Sequence, residues 1–402
     1  MPNPVTELIS KIVNRGTETV VPGKKELQEL LESGRKLSIY LGIDPTATRI
    51  HLGHAVPLRK LQYFADLGHT VYFLIGDFTA LIGDTSDKNA ERPVLTPQEI
   101  EQNFQTYKEQ ASKIVDFSKI TVVHNSDWLK KLGFTELLQL MRVFSVNDFI
   151  SRELIRDRLD KGGRIGLAEV LYPIMQGYDS FHLDTDVQLG GTDQIFNMQA
   201  GRTMLKQLKD KESIVLTNGF LVGTDGRKMS KSWGNAIWLD DSPEEMFGKI
   251  MSLKDELILN YFALATSLSD TAIGEIETRI KSGEHPMRLK KELAQQIITE
   301  LHGEKFVAAA EAFFVAAVQT KTAPEDTLVV KIGAAELRSE SLITLLVEQN
   351  LCASKSDARR LLEQGGVYID DQRVEVGMSI ALPTTGEIVL RAGKRKYLRL
   401  EQ

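Results

Sequence analysis

Leu37-Ser38-Ile39-Tyr40-Leu41-Gly42-Ile43-Asp44-Pro45-Thr46, followed by His51-Leu52-Gly53-His54 and then Thr70-Val71-Tyr72-Phe73-Leu74-Ile75-Gly76, decides the fold of this chain. Residues 37–43 and 70–76 are apolar runs of strand length, and between them residues 53–67 carry apolar side chains at helical spacing. Strand, helix, strand in so short a stretch is a βαβ unit, which implies a parallel sheet. Further strands are expected at 121–124, 187–189 and 213–216. In an open α/β sheet a nucleotide binds outside the carboxyl ends of the strands. The first βα turn, which holds His51 and His54, is therefore the first place to look for phosphate chemistry.

The two histidines stand three apart at the start of a helix, so both imidazoles share one face beside the unpaired N–H groups of the first turn. A helix N-terminus favours an anion, and Gly53 lets a ligand approach the backbone. A metal site is the rival reading, but no further His or Cys follows at zinc spacing. Far downstream, Gly223-Thr224-Asp225-Gly226-Arg227-Lys228-Met229-Ser230-Lys231-Ser232 sets two lysines three apart behind a glycine turn, next to two serines. Such a loop can offer two ammonium groups to one polyanion; alternatively it is a basic surface loop. Neither G-x-x-x-x-G-K-[ST] nor G-x-G-x-x-G occurs.

The bulk numbers narrow the class. The chain has 402 residues, 42% apolar and 26% charged, enough for two to four domains with real cores. Net charge is −6, so contact with nucleic acid requires a local basic patch. One cysteine, Cys352, excludes an intrachain disulfide and a cysteine-based zinc site. No basic start followed by an apolar run marks a signal peptide, and no apolar stretch is long enough to span a bilayer. A cytoplasmic protein without membrane contact is expected.

Thr96-Pro97-Gln98-Glu99 and Ser242-Pro243-Glu244-Glu245 each combine an N-cap residue, a proline at the first helical position and a glutamate at the third, and so read as helix starts. The second opens a mostly helical region to about residue 319, and residues 321–326 read as a linker. From 340 onward nine Lys/Arg balance nine Asp/Glu. The bases cluster: Lys355, Arg359 and Arg360 on a helix, and Arg391, Lys394, Arg395, Lys396 and Arg399 near the end, with Gly365-Gly366-Val367-Tyr368-Ile369 as a turn and strand between them. They form either two solvated faces or one patch for an RNA backbone.

These motifs carry a resemblance. His51-Leu52-Gly53-His54 and Lys228-Met229-Ser230-Lys231-Ser232, in this order, resemble the signature pair of class I aminoacyl-tRNA synthetases, in which both grip the phosphates of ATP. The tail resembles the RNA-binding module named after ribosomal protein S-four. Tyr40-x-Gly42-x-Asp44-Pro45-Thr46, Gly83-Asp84, Tyr172-x-x-x-Gln176-x-x-Asp179 and Gly190-Gly191-Thr192-Asp193-Gln194 follow the order of the bacterial tyrosyl-tRNA synthetases. The resemblance implies an α/β chain. A Rossmann-like parallel-sheet catalytic domain (1–238) carries a helical dimerisation insertion (about 96–165, with Phe144, Val146 and Phe149). An α-helical domain (239–325) and a small α+β RNA-binding domain (340–402) follow.

It also implies roles. Thr46, His51, His54, Lys228 and Lys231 would serve catalysis, with Lys88 and Arg92 on a second basic loop whose plainer reading is surface charge. Gly42, Asp44, Gly53, Gly191, Asp193, Met229, Ser230 and Ser232 would join them around ATP, which arrives with Mg²⁺; no tightly bound cofactor or resident metal is implied. Tyr40 and Asp179 would bind a phenol, and Asp84, Tyr172, Gln176 and Gln194 the rest of L-tyrosine. Lys355, Arg359, Arg360, Lys394, Arg395 and Lys396 would contact tRNA(Tyr), and the chain would act as a homodimer. Tyr172, Gln176 and Asp179, at spacings of four and three, would make one polar stripe on a helix; alternatively Tyr172 and Tyr178 are core aromatics. The chain departs from one bacterial branch by its full Lys-Met-Ser-Lys-Ser form, from some relatives by Thr192, and it places Pro57 in what the spacing makes the first turn of a helix. The rivals are a tryptophanyl synthetase, a small-molecule nucleotidyltransferase and a non-catalytic RNA-binding regulator.

Overall fold

The computed structural model describes residues 3–46, 48–83, 95–230, 233–316, 327–332, 336–370, 372–381, 387–393 and 396–401. In chain order the elements are α1 (Pro4–Val13), β1 (Thr17–Val21), α2 (Lys24–Glu32), β2 (Ser38–Ile43), α3 (Leu52–Asp66), β3 (Thr70–Ile75), α4 (Pro97–Ala111) and β4 (Thr121–His124). There follow α5 (Ser126–Leu129), α6 (Phe134–Met141), α7 (Val146–Ile150), α8 (Glu153–Asp160), α9 (Leu167–His182), β5 (Val187–Gly191), α10 (Ile195–Lys209), β6 (Ile214–Asn218), α11 (Pro243–Met251), α12 (Ile258–Ala265), α13 (Asp270–Lys281), α14 (Pro286–His302) and α15 (Val307–Phe314). The last part holds β7 (Val329–Lys331), β8 (Glu336–Leu337), α16 (Ser339–Glu348), α17 (Lys355–Glu363), β9 (Val367–Ile369), β10 (Gln372–Arg373), β11 (Ile380–Ala381), β12 (Ile388–Ala392) and β13 (Lys396–Glu401).

The chain divides into two compact units, residues 1–241 with 253–301, and residues 242–252 with 302–402. The first is built on a six-stranded sheet of order β1-β6-β5-β2-β3-β4. Its strands run parallel from β6 to β4, as the βαβ reading requires. From β2 the chain crosses to β3 on one side, and from β5 to β6 on the other. With right-handed crossovers these opposite directions put α3 and α10 on opposite faces, and the order reverses between β2 and β5. The sheet is not wholly parallel. β1 adds to the edge antiparallel to β6, with Val20 opposite Leu216. Sequence reasoning missed it, because five residues of which three are polar carry little strand signal.

Helix starts follow local chemistry. The Thr96 hydroxyl accepts from Glu99 N–H while the Glu99 carboxylate accepts from Thr96 N–H, and Ser242 caps α11 through Glu245 N–H. Pro57, however, is the sixth residue of α3 and lies inside the helix, not in its first turn. Having no N–H, it leaves the Gly53 carbonyl without its helical donor. Helices α12 to α14 are pinned to the sheet unit by charge. Arg59 of α3 pairs with Glu300 at 2.8 Å and donates to Ala265 O, while Arg15 donates to Leu268 O at 2.6 Å and pairs with Asp270.

In the second unit α11 packs on α15 through Phe247 and Phe314. Its five-stranded sheet has the order β10-β9-β12-β13-β7, and β8 pairs with β11. Leu342, Leu346, Ala358, Leu362, Leu390, Leu398 and Leu400 form the core between this sheet and α16 and α17.

Candidate active site

One cavity of about 340 Å³ opens where the strand order reverses. Its walls come from the carboxyl ends of β2, β5 and β6, the start of α3, the middle of α9 and the loop after β6. Tyr40, Gly42, Asp44, Thr46, His51, Gly53, His54, Tyr172, Gln176, Asp179, Gly191, Asp193, Gln194, Lys228 and Met229 all line it, so motifs scattered over 190 positions meet in one place.

At one end the histidines build the helix start themselves. His51 is the N-cap of α3, its Nδ1 accepting from Gly53 N–H at 3.1 Å, and His54 Nδ1 accepts from His51 N–H at 3.2 Å. The rings lie 4.0 Å apart. With Nδ1 accepting in each ring, the proton of the neutral imidazole sits on Nε2. Burial lowers the His51 pKa to about 3, helped by His54 and Lys228, and burial lowers that of His54 to about 4. Both are therefore neutral hydrogen-bond donors at pH 7, and cationic charge comes from lysine. Lys228 Nζ lies 5.2 Å from the Phe220 ring centroid. Among the described residues no cluster of three His, Cys, Asp or Glu forms a metal site.

The loop that carries Lys228 is held by Asn235, which sequence reasoning missed. Its amide accepts from Ser230 N–H at 2.9 Å and donates to Asp225 at 2.8 Å and to Lys228 O at 3.1 Å. The buried Tyr261 of α12 adds a 2.7 Å bond to Val222 O.

At the other end α9 presents Tyr172, Gln176 and Asp179 as the spacing requires. Tyr172 OH donates to Asp44 at 2.8 Å, and Thr79 donates to the other oxygen of Asp44 at the same distance. A Cβ on Gly76 would sit 2.0 Å from Asp44 Oδ1, so only glycine fits behind this carboxylate. Asp179 is fully enclosed. Trp128 Nε1 donates to one oxygen at 2.7 Å, and Asn125 to the other at 3.2 Å. Asn125 also donates to Thr79 at 3.1 Å, so a continuous chain of bonds joins Asp44 to Asp179. Burial raises the Asp179 pKa to about 8 despite those donors, and burial with the Asp179 charge pushes the Tyr40 phenol far above its ordinary value while Gln176 opposes this. Thr79, Asn125 and Trp128 lie outside every motif. Tyr178 does not line the cavity; it packs against Phe181 and His182.

Asp84, Lys88, Arg92, Lys231, Ser232, Lys394 and Arg395 lie outside the described residues. Ser230 lies beside the cavity in the braced loop. In the tail, Lys355, Arg359 and Arg360 are exposed on α17, with Arg359 paired to Glu340 and Arg360 to Asp357. Lys396 donates to Asn350 O and Leu351 O, closing the end of α16. Arg391 stacks 4.0 Å over Tyr368. In the insertion, Phe149 is core, packed edge-on against Phe144 and Phe196, whereas Val146 is exposed.

Residues 32–319 match the family of tRNA synthetases class I (W and Y), and residues 326–400 match the tyrosine–tRNA ligase SYY-like C-terminal domain. Fold, cavity and match together define a class I aminoacyl-tRNA synthetase. The tyrosine–tRNA ligase of Thermotoga maritima is 42% identical over 97% of this chain and 96% of its own length, and that of Bordetella avium 42% over 99% and 97%. A tyrosyl-tRNA synthetase of Archaeoglobus fulgidus, solved with L-tyrosine, superposes with a TM-score of 0.60 at 26% identity, covering 76% of this chain and 99% of that one. The chain belongs to the tyrosine–tRNA ligase family.

Proposed function

We propose that the cavity activates L-tyrosine with ATP to tyrosyl-adenylate and pyrophosphate, and that the same chain then transfers tyrosine to the 3′ end of tRNA(Tyr). One observation supports this above all: a single cavity holds an anion-binding helix start with Lys228 at one end and a buried phenol-reading set at the other. A tyrosine carboxylate is ionised at neutral pH and needs no general base to attack the α-phosphorus. The reaction needs alignment, and donors for the charge that develops on pyrophosphate. The Nε2–H groups of His51 and His54, Thr46, Lys228 and Lys231 supply those donors, with Lys88 and Arg92 from the second basic loop. Mg²⁺ enters with ATP as part of the substrate and offsets phosphate charge.

Gly42, Gly53, Gly191, Asp193, Met229, Ser230 and Ser232 shape the nucleotide end, and Asp44, which accepts from Tyr172 and Thr79, links them to the tyrosine set. Asp179 and Tyr40 receive the phenol, while Asp84, Tyr172, Gln176 and Gln194 hold the ammonium side. Residues 1–238 carry the chemistry, 239–325 support it, and 340–402 bind tRNA through Lys355, Arg359, Arg360, Lys394, Arg395 and Lys396. The chain works in the cytoplasm; among the described residues no helix is long and apolar enough to cross a membrane.

Pyrophosphate exchange into ATP, run with each of the twenty amino acids, tests the reading: tyrosine alone should support it, and exchange driven by tryptophan instead would overturn it. The exposed Phe134, Leu138, Met141, Val146, Ile150 and Leu167 on α6, α7 and the start of α9 support a homodimer. Light scattering should give twice the mass of the chain, and a monomer at micromolar concentration would refute the dimer.

A further inference from the structure

We infer that Gln110 of α4 is a positioning residue for adenylate formation: it fixes the turn between β2 and α3 that carries Thr46 and His51. α4 falls within the stretch read from the sequence as a dimerisation insertion. Yet Asn103, Tyr107 and Gln110, at spacings of four and three, share one face of this helix, and that face meets the turn. Asn103 donates to Pro45 O at 2.9 Å. The Gln110 carboxamide accepts from Ile50 N–H at 2.9 Å and donates to Thr48 O at 2.8 Å. Tyr107, between them, lines the cavity and meets the His54 ring edge-on, with centroids 6.4 Å apart.

Gln110 is 7% exposed, and a third bond, to Thr106 O at 2.9 Å, ties its amide to its own helix. Both amide hydrogens and the oxygen are engaged, so a flipped side chain would set like groups against each other at all three partners. The other edge of the turn is held by backbone. Leu239 N–H donates to Ile50 O, and Leu52 N–H to Ile237 O, each at 2.9 Å. Ile50 thus has its N–H bonded to Gln110 and its carbonyl to Leu239, and its side chain is 1% exposed. The next residue is His51, whose Nδ1 is committed to Gly53 N–H. Its Nε2–H can therefore point only where this stretch of backbone sets it. Gln110 is not itself a wall of the cavity; it acts through the turn. Alignment is what the attack on phosphorus needs, and a misplacement of about 1 Å can cost about 100-fold in rate.

The inference rests on the adenylate-forming reading of the cavity, and the experiment separates the two. Tyrosine-dependent pyrophosphate exchange is measured for the unsubstituted chain and for Gln110→Met, which keeps length and bulk but loses all three bonds. Its kcat should fall about 10- to 100-fold. The KM for tyrosine should stay unchanged, because Asp44, where the turn leaves β2, is held separately by Tyr172 and Thr79. Combined with His51→Asn, which still offers a capping oxygen, Gln110→Met should lose little more than the worse of the two changes alone, since both act on the same donor. Gln110→Glu keeps the acceptor for Ile50 N–H and gives up the bond to Thr48 O, so its kcat should fall less; it carries the test should methionine prevent folding. Either Gln110 variant keeping its full kcat, or losses that add in the double variant, would overturn the inference and leave α4 as scaffold. Absence of any tyrosine-dependent exchange in the unsubstituted chain would instead strike the adenylate reading itself.

Discussion

Asp179 shows how a single residue is tuned by what surrounds it. Enclosure drives its pKa to about 8, while Trp128 and Asn125 pull the other way. Those donors favour the charged form, yet with a pKa of about 8 the empty site holds Asp179 largely protonated near pH 7. Trp128→Phe removes the 2.7 Å bond and should weaken tyrosine. A hydrogen bond to a largely neutral carboxyl contributes about 0.5–1.5 kcal/mol, so the KM for tyrosine should rise about 2- to 10-fold with the KM for ATP unchanged. Exchange kinetics read this directly, and an unaltered tyrosine KM would remove Trp128 from the phenol site. Asp179 itself was legible in the sequence, because Tyr172, Gln176 and Asp179 repeat at helical spacing. Trp128, Asn125 and Thr79 were not. They arrive from β3 and β4 loops, and their task is defined only by a carboxylate on a distant helix.

Among the elements, α3 carries the most consequence. Its N-terminus is capped by two histidines, and its body is anchored by Lys60, whose buried ammonium donates to Ile12 O at 2.9 Å, Arg15 O at 2.7 Å and the Thr17 hydroxyl. That ammonium holds the end of α1 and the start of β1 against the helix that opens the cavity. Lys60→Met would take this donor from Arg15 O, while Ile12 O keeps the Thr17 hydroxyl, at a cost of about 1 kcal/mol. There is a pH signature as well. Burial lowers the folded pKa of Lys60 to about 7, with Lys24 and Arg15 adding to the effect. The unfolded chain then binds the extra proton between about pH 7 and the ordinary lysine value, so this group makes stability rise with pH across that window. Thermal melting from pH 7 to 10 should show a rise that the Met variant lacks; parallel curves would contradict the assignment. Helices opening at Thr96 and Ser242 were readable from their caps. The start of α3 was recognised from its motif rather than its capping chemistry, since a histidine pair replaces the usual Ser/Thr and Glu.

At the scale of the whole chain, every residue assigned to adenylate formation precedes Trp233, and the tail forms its own sheet and core. A chain ending at Asp326 should therefore still exchange pyrophosphate with tyrosine but charge tRNA poorly, the loss appearing as weaker tRNA binding. Equal charging by the full and shortened chains would deny the tail this role. The basic clusters were legible, but the bonds from Lys396 to Asn350 O and Leu351 O were not, because no sequence pattern marks a lysine that donates to distant carbonyls. The architecture also bears on synthesis. Thr19 at the sheet edge hydrogen-bonds Thr217, 198 residues later in the chain. At about 5–20 residues per second, a ribosome needs about 10–40 s between the two. Throughout that interval the nascent β1 has no strand to join, while β2 and β3 can already pair. The sheet is thus completed at the edge begun first, and the early segment is the one that waits, exposed to whatever else in the cell binds an unpaired strand.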